Sequence, residues 1–191
     1  MKRMIIGLDI DGVIVDFVSS TLPLISEVSN RPVTYADVTH RDLTKFLNIN
    51  EEKAAYIWEQ IINTDLLQSS PPISGAIEGI SALGQHEIWL VTGRPASMQS
   101  LTLSWLNENG INYDRIIFDS SKTEGNLSLE RKCNIFVEDQ LEVACLLAVA
   151  GIFTILFNQP WNQAPALPAK CQRVNDWNAI VKVIKILEQD S

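Results

Sequence analysis

The fold is decided by one stretch near the start of the chain, Ile5-Ile6-Gly7-Leu8-Asp9-Ile10-Asp11-Gly12-Val13. Its apolar residues up to Leu8 predict a buried strand, and Gly12 permits a sharp exit from that strand. Two carboxylates at the end of a buried strand are costly unless a positive group lies beside them. A divalent metal is the simplest such group, because hard cations prefer oxygen ligands. The stretch therefore predicts a metal site at the end of the first strand, where a carboxylate could also attack phosphorus.

The composition is that of a globular protein and argues against several classes of partner. Of the 191 residues, 46% are hydrophobic and 20% are charged, so one main core with a modest insertion is expected. The net charge of −8 argues against binding to a nucleic-acid duplex, which needs a basic face. Asp9 and Asp11 interrupt the first apolar run too early for a signal peptide. No apolar stretch of about 20 residues predicts a membrane span.

The three cysteines indicate a reducing compartment. Cys133, Cys145 and Cys171 lack the spacing of a metal site, and an odd number leaves one thiol unpaired. Buried cysteines that act as small hydrophobic residues are the simplest interpretation. We therefore expect a cytoplasmic protein, either a monomer or a homodimer.

Strand-like and helix-like patterns alternate along most of the chain. The predicted strands are Met4–Leu8, Glu87–Val91, Arg115–Phe118, Asn134–Val137 and Ile152–Phe157. The predicted helices of the same region are Ser97–Asn109, Leu141–Ala150 and Asn175–Glu188. This alternation predicts an α/β fold, a Rossmann-like core of three layers with a central parallel sheet.

The interval between the first two strands is too long for a loop in a compact domain. It contains helical patterns at Asp16–Ser29, at Glu51–Asn63 and near Gly75–Leu83. We therefore predict a small helical cap, residues 16–85, inserted after the first strand and placed over the sheet end that carries Asp11. Residues 1–15 and 86–191 would form the core domain.

Polar residues follow several predicted strands, at the edge where open parallel sheets bind ligands. After the second strand comes Val91-Thr92-Gly93-Arg94-Pro95, in which the Thr92 hydroxyl and the Gly93 N–H could form an anion site. Glu138 and Asp139 follow the fourth strand, and Lys122 lies in the polar stretch before it. Together these positions could supply a nucleophile, an anion site, a cation and metal ligands.

Each of these motifs also has a structural interpretation. Asp-x-Asp-Gly and Thr-Gly-Arg-Pro both occur as ordinary turns, and Asp139 could cap the helix that follows it. Lys122 could be a solvated charge, and Asp16 is expected to cap the first cap helix rather than to orient water. The aromatic residues Phe17, Tyr56 and Trp58 could stack on a base, although aromatic residues on an apolar stripe usually belong to a core.

The ordered set of motifs resembles the phosphatases of the haloacid dehalogenase-like superfamily. Asp9-Ile10-Asp11-Gly12 is similar to the first motif, Thr92-Gly93 to the second, Lys122 to the third and Glu138-Asp139 to the fourth. The predicted cap lies where the helical C1 cap of the superfamily lies. Asp16-Phe17 and the stretch Ile155–Asn162 resemble, more narrowly, the 5'(3')-deoxyribonucleotidase-type branch. That branch more often has Asp where this chain has Glu138, and Lys132 is the alternative third-motif lysine.

The resemblance implies a role for each of these residues. Asp9 would attack phosphorus, and Asp11 would protonate the leaving oxygen and then activate water. Mg²⁺ would be the cofactor; its ligands are expected to be Asp9, the Asp11 carbonyl, Asp139 and Glu138. Lys122 would stabilise Asp9 and the phosphate. The predicted phosphate-binding residues are Gly12, Thr92, Gly93 and Arg94, although Arg94 could instead pair with an acid on the cap.

The resulting functional hypothesis is a Mg²⁺-dependent phosphomonoester hydrolase that forms an aspartyl-phosphate. Its expected substrate is a small phosphorylated metabolite such as a nucleotide. A phosphotransferase or mutase on the same scaffold is one alternative, and a non-catalytic binding protein is another. Dehalogenation is disfavoured, because Asp11 serves a phosphoryl leaving group.

Overall fold

The protein is described here from a computed structural model, which describes residues 3–62, 66–119 and 132–189. Within these ranges the chain forms one sheet of six parallel strands in the order β3-β2-β1-β4-β5-β6. The strands are β1 Ile5–Leu8, β2 Glu87–Thr92, β3 Arg115–Phe118, β4 Ile135–Glu138, β5 Phe153–Phe157 and β6 Cys171–Val174. The predicted α/β class with a central parallel sheet is confirmed.

Eight helices accompany these strands within the described ranges. The first four follow β1 along the chain: α1 Phe17–Ser29, α2 Leu43–Leu47, α3 Glu51–Ile62 and α4 Leu66–Ser69. The other four are α5 Ala76–Ala82, α6 Gln99–Glu108, α7 Leu141–Val149 and α8 Trp177–Gln189. None of the described helices combines the length and apolar character needed to cross a membrane.

Strand β1 lies in the middle of the sheet, which fixes the place of the residues that follow it. Leu8 is fully buried and pairs with Leu90 on one side and Val137 on the other. The Asp9 amide continues this pattern by donating to the Val137 carbonyl at 3.0 Å. The acidic residues after β1 therefore emerge at the centre of the carboxyl edge, beside the end of β4.

The two faces of the sheet contribute to different apolar clusters. Leu8, Leu90 and Val137 belong to the larger cluster, together with Trp177 and Ile180 of α8. On the other face, the cluster combines Trp89, Val91 and Phe136 with Val143 and Leu147 of α7. Alternation of side chains along each strand sends neighbouring residues to opposite faces, which gives the three layers.

Helix α5 packs against α8 at a close approach that requires glycine. A Cβ atom on Gly79 would collide with the indole ring of Trp177. The Trp177 indole in turn donates to the Val13 carbonyl at 2.9 Å, which ties α8 to the loop after β1. The division of the chain into a core domain and a helical cap stays a prediction. Residues 16–85 are called the cap segment.

Sequence patterns located most elements but missed three short ones. The five predicted strands and the predicted helices appear with ends shifted by one or two residues in most cases. Strand β6 and helices α2 and α4 were not predicted; each has only four or five residues. An element of four or five residues is too short to show a periodic pattern of apolar residues in the sequence.

Candidate functional site

Three buried carboxylates converge where β1 and β4 end. Asp9, Glu138 and Asp139, called the acidic cluster below, each offer an oxygen atom within 4.8 Å of those of the other two. Glu138 and Asp139 have no exposed surface, and Asp9 is nearly as deeply buried. Burying three acids together is unfavourable without a compensating cation, so the cluster suits a divalent metal.

The loop after β1 wraps closely around this cluster. The amide groups of Ile14 and Val15 both donate to the Ile10 carbonyl at 2.9 Å, which forms a tight turn. Gly12 within this turn has φ +85°, and a Cβ atom at that position would collide with the carboxylate of Asp139. Gly12 is thus required by both backbone conformation and space.

Asp11 lies beside the acidic cluster and is held by Arg94. The guanidinium donates from Nε to Oδ2 at 2.8 Å and from Nη2 to Oδ1 at 2.6 Å. A third bond, from Nη1 to Thr102 Oγ1 at 3.0 Å, fixes the arginine on α6. The sequence left open whether Arg94 reaches the substrate or an acid on the cap segment; its described ion pair is with Asp11 of the core.

Thr92 and Gly93 lie on the wall of a cavity that Asp9 of the acidic cluster also borders. The cavity has a volume of about 470 Å³, within the range of small-molecule sites. The Thr92 hydroxyl accepts from the Arg94 amide at 3.2 Å. Helical structure resumes only at Ala96, with a 3₁₀ turn over Ala96–Met98 that leads into α6.

The cap segment contributes a cation that the sequence analysis did not single out. Arg41 Nη1 donates to Asp139 Oδ2 at 3.1 Å, and the Arg41 side chain is 29% exposed. Burial alone disfavours its charge, but the acidic cluster and Asp11 outweigh burial and raise the pKa of the guanidinium. Arg41 therefore partly offsets the negative charge of the site.

The surroundings of Asp139 distinguish its two carboxylate oxygens. Burial raises the pKa of Asp139 well above its ordinary range; Arg41 opposes this shift, and the neighbouring carboxylates of the cluster add to it. Oδ2 accepts from Arg41, whereas Oδ1 is buried with no hydrogen-bond partner among the described residues. An all-oxygen donor set with such an oxygen fits a hard divalent cation such as Mg²⁺.

Glu138, rather than Asp139, binds the backbone at the start of α7. Glu138 Oε1 accepts from the amide groups of Asp139 and Gln140, both at 3.0 Å. The Asp139 carboxylate instead faces Arg41 and the indole of Trp161. The sequence alternative in which Asp139 caps the helix is therefore wrong, whereas Asp16 does cap α1 by accepting from the Ser19 amide at 3.2 Å.

The loop after β5 supports the site from the opposite side. Trp161 Nε1 donates to Asp139 Oδ2 at 2.9 Å, and Asn162 Nδ2 donates to the Asp139 carbonyl at 2.8 Å. Gln159 Nε2 donates to the Gly12 carbonyl at 2.9 Å. Three residues of one short loop thus hold the acidic cluster and the loop after β1 in their relative positions.

The structure describes one of the two candidate third-motif lysines. Lys122 lies outside the described residues, so its role as the third-motif lysine stays a prediction. Lys132 is described and exposed.

The aromatic residues of the cap segment fall into two groups. Phe17 and Trp58 line the cavity and stack on each other with ring centroids 6.2 Å apart and an angle of 9° between planes. Tyr56 is 52% exposed and is absent from the cavity wall. Phe17 and Trp58 are therefore placed to contact a substrate, and Tyr56 is not.

The fold, together with the family to which the sequence belongs, places the chain among the haloacid dehalogenase-like phosphomonoester hydrolases. A chain of similar fold is YfnB of Bacillus subtilis, provisionally named a HAD-hydrolase and solved bound to magnesium. It matches with a TM-score of 0.64 and 18% identity, over 96% of this chain and 100% of that one.

Sequence comparison then assigns the family. The description of the matching family is "5' nucleotidase, deoxy (Pyrimidine), cytosolic type C protein"; the match spans residues 3–189, and the chain belongs to this family. YqfW of Bacillus subtilis, provisionally named a nucleotidase, is 29% identical over 174 residues, 90% of this chain and 89% of its own length. A nucleotidase of Clostridium acetobutylicum is 25% identical over 193 residues, 100% of this chain and 98% of its own.

Proposed function

We propose that the chain is a Mg²⁺-dependent 5'-nucleotidase or deoxyribonucleotidase that works through an aspartyl-phosphate. One observation carries this proposal. Asp9 of the acidic cluster, the Arg94–Asp11 pair, Thr92 and the stacked rings of Phe17 and Trp58 all line one cavity. A charged end and an aromatic wall in one cavity match a substrate with a phosphate at one end and a base at the other. Membership in a nucleotidase family supports the same substrate class.

Asp9 is the proposed nucleophile. Its carboxylate oxygen forms a bond to phosphorus as the bond from phosphorus to the ester oxygen breaks. Asp11 takes up a proton from solvent when the substrate phosphate draws Arg94 away from it, and gives that proton to the ester oxygen. Asp11 then takes a proton from water, whose oxygen attacks phosphorus and releases Asp9 with inorganic phosphate. Both carboxylates belong to the loop after β1, so a single turn of chain sets their relative position.

The remaining residues of the site are proposed to bind the phosphate and the metal and to orient Asp11. Thr92 and the Gly93 N–H are proposed to bind phosphate oxygens, and Lys122 is proposed to keep Asp9 ionised. Gly12 lets the Asp139 carboxylate lie close against the loop after β1. Mg²⁺ would be held by oxygen atoms of Asp9, Asp11, Glu138 and Asp139, where it would offset the repulsion between Asp9 and a phosphate dianion. Arg94 is proposed to orient Asp11 and to contact the phosphate.

The three cysteines support a cytoplasmic location. Cys133, Cys145 and Cys171 form no disulfide among the described residues, and Cys133 and Cys171 are buried. Cysteines outside disulfides are usual where the surroundings are reducing.

The function is tested by phosphate release from a panel of ribo- and deoxyribonucleoside monophosphates, sugar phosphates and p-nitrophenyl phosphate. We expect turnover with Mg²⁺, loss of turnover with EDTA, and a preference for nucleotides over sugar phosphates. Release from sugar phosphates alone would contradict the proposed substrate class. Faster turnover on addition of a second hydroxyl compound would instead indicate a phosphotransferase.

A further inference from the structure

The indole of Trp161 contacts the acidic cluster through a single, well-defined hydrogen bond. Its Nε1 donates to Asp139 Oδ2 at 2.9 Å, and Asp139 is completely buried. Arg41 Nη1 donates to the same oxygen at 3.1 Å. The other oxygen, Oδ1, is buried and accepts no hydrogen bond from a donor group of the described residues. Both protein donors therefore occupy one oxygen, and the second is left available to a cation.

Trp161 is held in place by a hydrogen-bond network that reaches β5, β6 and the residue directly after β4. Asn162, the next residue, donates from Nδ2 to the carbonyls of Asp139 at 2.8 Å and Phe157 at 2.7 Å. Arg173 of β6 donates to the Asn162 side chain at 2.5 Å and to its carbonyl at 2.7 Å. These bonds fix the loop relative to β4, β5 and β6, so the indole N–H approaches Asp139 from a set direction.

The same indole also faces the cap segment. The Tyr35 ring lies 5.6 Å from it, tilted by 56°. The Arg41 guanidinium carbon lies 5.4 Å from the ring centroid. Trp161→Phe would keep a ring for both contacts and remove only the N–H donor. The hydrogen bond to Asp139 can therefore be separated from the packing of the ring against Tyr35 and Arg41.

We infer that Trp161 is a positioning residue for the metal ligand Asp139. By holding Oδ2, the indole N–H sets the rotation of the carboxylate and reserves Oδ1 for the cation. Hydrogen bonds to metal ligands of this kind typically change metal affinity by about 10- to 100-fold. The inference rests on the proposed function only in requiring that the acidic cluster binds Mg²⁺.

Arg41 binds the same oxygen of Asp139 but is expected to have the opposite effect on the affinity of the acidic cluster for Mg²⁺. Its positive charge repels a cation at the cluster, whereas the neutral indole does not. Removing the Trp161 donor should weaken Mg²⁺ binding, and removing the Arg41 charge should strengthen it. A general loosening of the site would weaken binding in both variants, so this difference in sign distinguishes positioning from packing.

Isothermal titration calorimetry of the full chain with MgCl₂, without substrate, tests the inference. We expect Kd to rise about 10- to 100-fold in Trp161→Phe and to fall by at least about threefold in Arg41→Met. The matched control is Trp89→Phe, which removes the indole bond to Glu87 Oε1 at 2.7 Å, away from the site, and should leave Kd unchanged. Circular dichroism checks that each variant is folded.

A second measurement remains informative even where Trp161→Phe fails to fold. A cation on Asp139 changes the charge that the Trp161 N–H faces, so Mg²⁺ should change the tryptophan emission of the wild type. The change should persist in Trp89→Phe and disappear in a folded Trp161→Phe. A wild type that binds Mg²⁺ with no change in emission would overturn the inference.

The outcomes separate this inference from the proposed function. An unchanged Kd in folded Trp161→Phe, beside nucleotide hydrolysis by the wild type, would overturn the positioning role alone. Absence of Mg²⁺ binding in the wild type would overturn both the inference and the metal dependence. Mg²⁺ binding that responds as expected, without hydrolysis of any nucleotide, would leave the inference standing and remove the nucleotidase proposal.

Discussion

Arg94 holds both carboxylate oxygens of Asp11, at 2.8 Å from Nε and 2.6 Å from Nη2. Arg94 is itself almost fully buried and fixed to Thr102 of α6. A planar guanidinium with two parallel bonds restricts a carboxylate much more than a single bond does. The second aspartate of the loop after β1 is therefore oriented by the strand-to-helix segment after β2, before any substrate binds.

Arg94→Lys keeps the charge and removes the two-point contact. A misplaced acid–base group typically costs about 10²-fold in rate, so we expect a loss of that order in kcat for nucleotides. The loss should be much smaller for p-nitrophenyl phosphate, because its leaving oxygen needs little protonation. Steady-state kinetics on both substrates provide the measurement. A rise in KM alone, equal for both, would show that Arg94 binds phosphate and does not orient Asp11.

Gly12→Ala should damage both stability and metal binding. The residue has φ +85°, and a new Cβ atom would collide with the Asp139 carboxylate. Gly110→Ala is the matched control, because Gly110 also has positive φ but has no atom within 4 Å of the added Cβ. We expect Gly12→Ala to lower the free energy of unfolding by about 1–3 kcal/mol more than Gly110→Ala. Urea denaturation measures this difference; equal losses would mean that the loop moves away without cost.

Trp58→Ala tests the aromatic wall of the cavity. Trp58 stacks with Phe17 and borders the same cavity as Asp9. Loss of base stacking costs roughly 1–3 kcal/mol, so KM for nucleotides should rise by about tenfold, while KM for ribose 5-phosphate stays constant. Tyr56→Ala, on the same helix but absent from the cavity wall, should change neither value. An equal rise in KM for ribose 5-phosphate, which has no base, would mean that the nucleotide base does not stack on Trp58.

The thiol of Cys171 should make stability depend on pH in the alkaline range. Burial, with a further contribution from nearby Cys145, raises the pKa of Cys171 to about 11 from its ordinary value of 9.0. The unfolded chain therefore releases this proton at lower pH than the folded chain. The contribution of Cys171 is complete below about pH 9 and is lost as pH rises toward about 11.

Cys171→Ala should lack this part of the pH dependence. The free energy of unfolding of wild type and variant, measured in urea between pH 8 and 10.5, gives the comparison. Parallel curves for the two proteins would show that the thiol is not buried as the structure has it.

Much of the fold could be predicted because its signals are local. The apolar run before Asp9 and the turn at Gly12 located β1, and alternating strands and helices predicted the parallel sheet. Strand β6 was missed because Cys171–Val174 is short and its two middle residues are polar and more exposed than its buried ends, so neither an apolar run nor a regular alternation marks it. The adjacent strands bring Asp9 and Asp139 together, as their positions at strand ends indicated.

The parts of the site that were missed depend on tertiary contacts. Arg41 is one arginine among many, and only the path of the cap segment brings it to Asp139. Trp161 lies in the stretch Ile155–Asn162 that carried the narrower resemblance, but nothing in the sequence indicated that its N–H binds a buried carboxylate. The partner of Arg94 was undecided between the substrate and an acid on the cap segment, and the structure pairs it with neither of these but with Asp11. Long-range hydrogen bonds of this kind leave no periodic signal in a sequence.

The most direct test of the account is acid quenching of the enzyme during turnover of a nucleotide labelled with ³²P in its phosphate. With Mg²⁺, the account predicts acid-stable, hydroxylamine-sensitive label on the peptide that contains Asp9, and neither label nor phosphate release in Asp9→Asn. Phosphate release by Asp9→Asn at the wild-type rate, or label on a different residue, would contradict it.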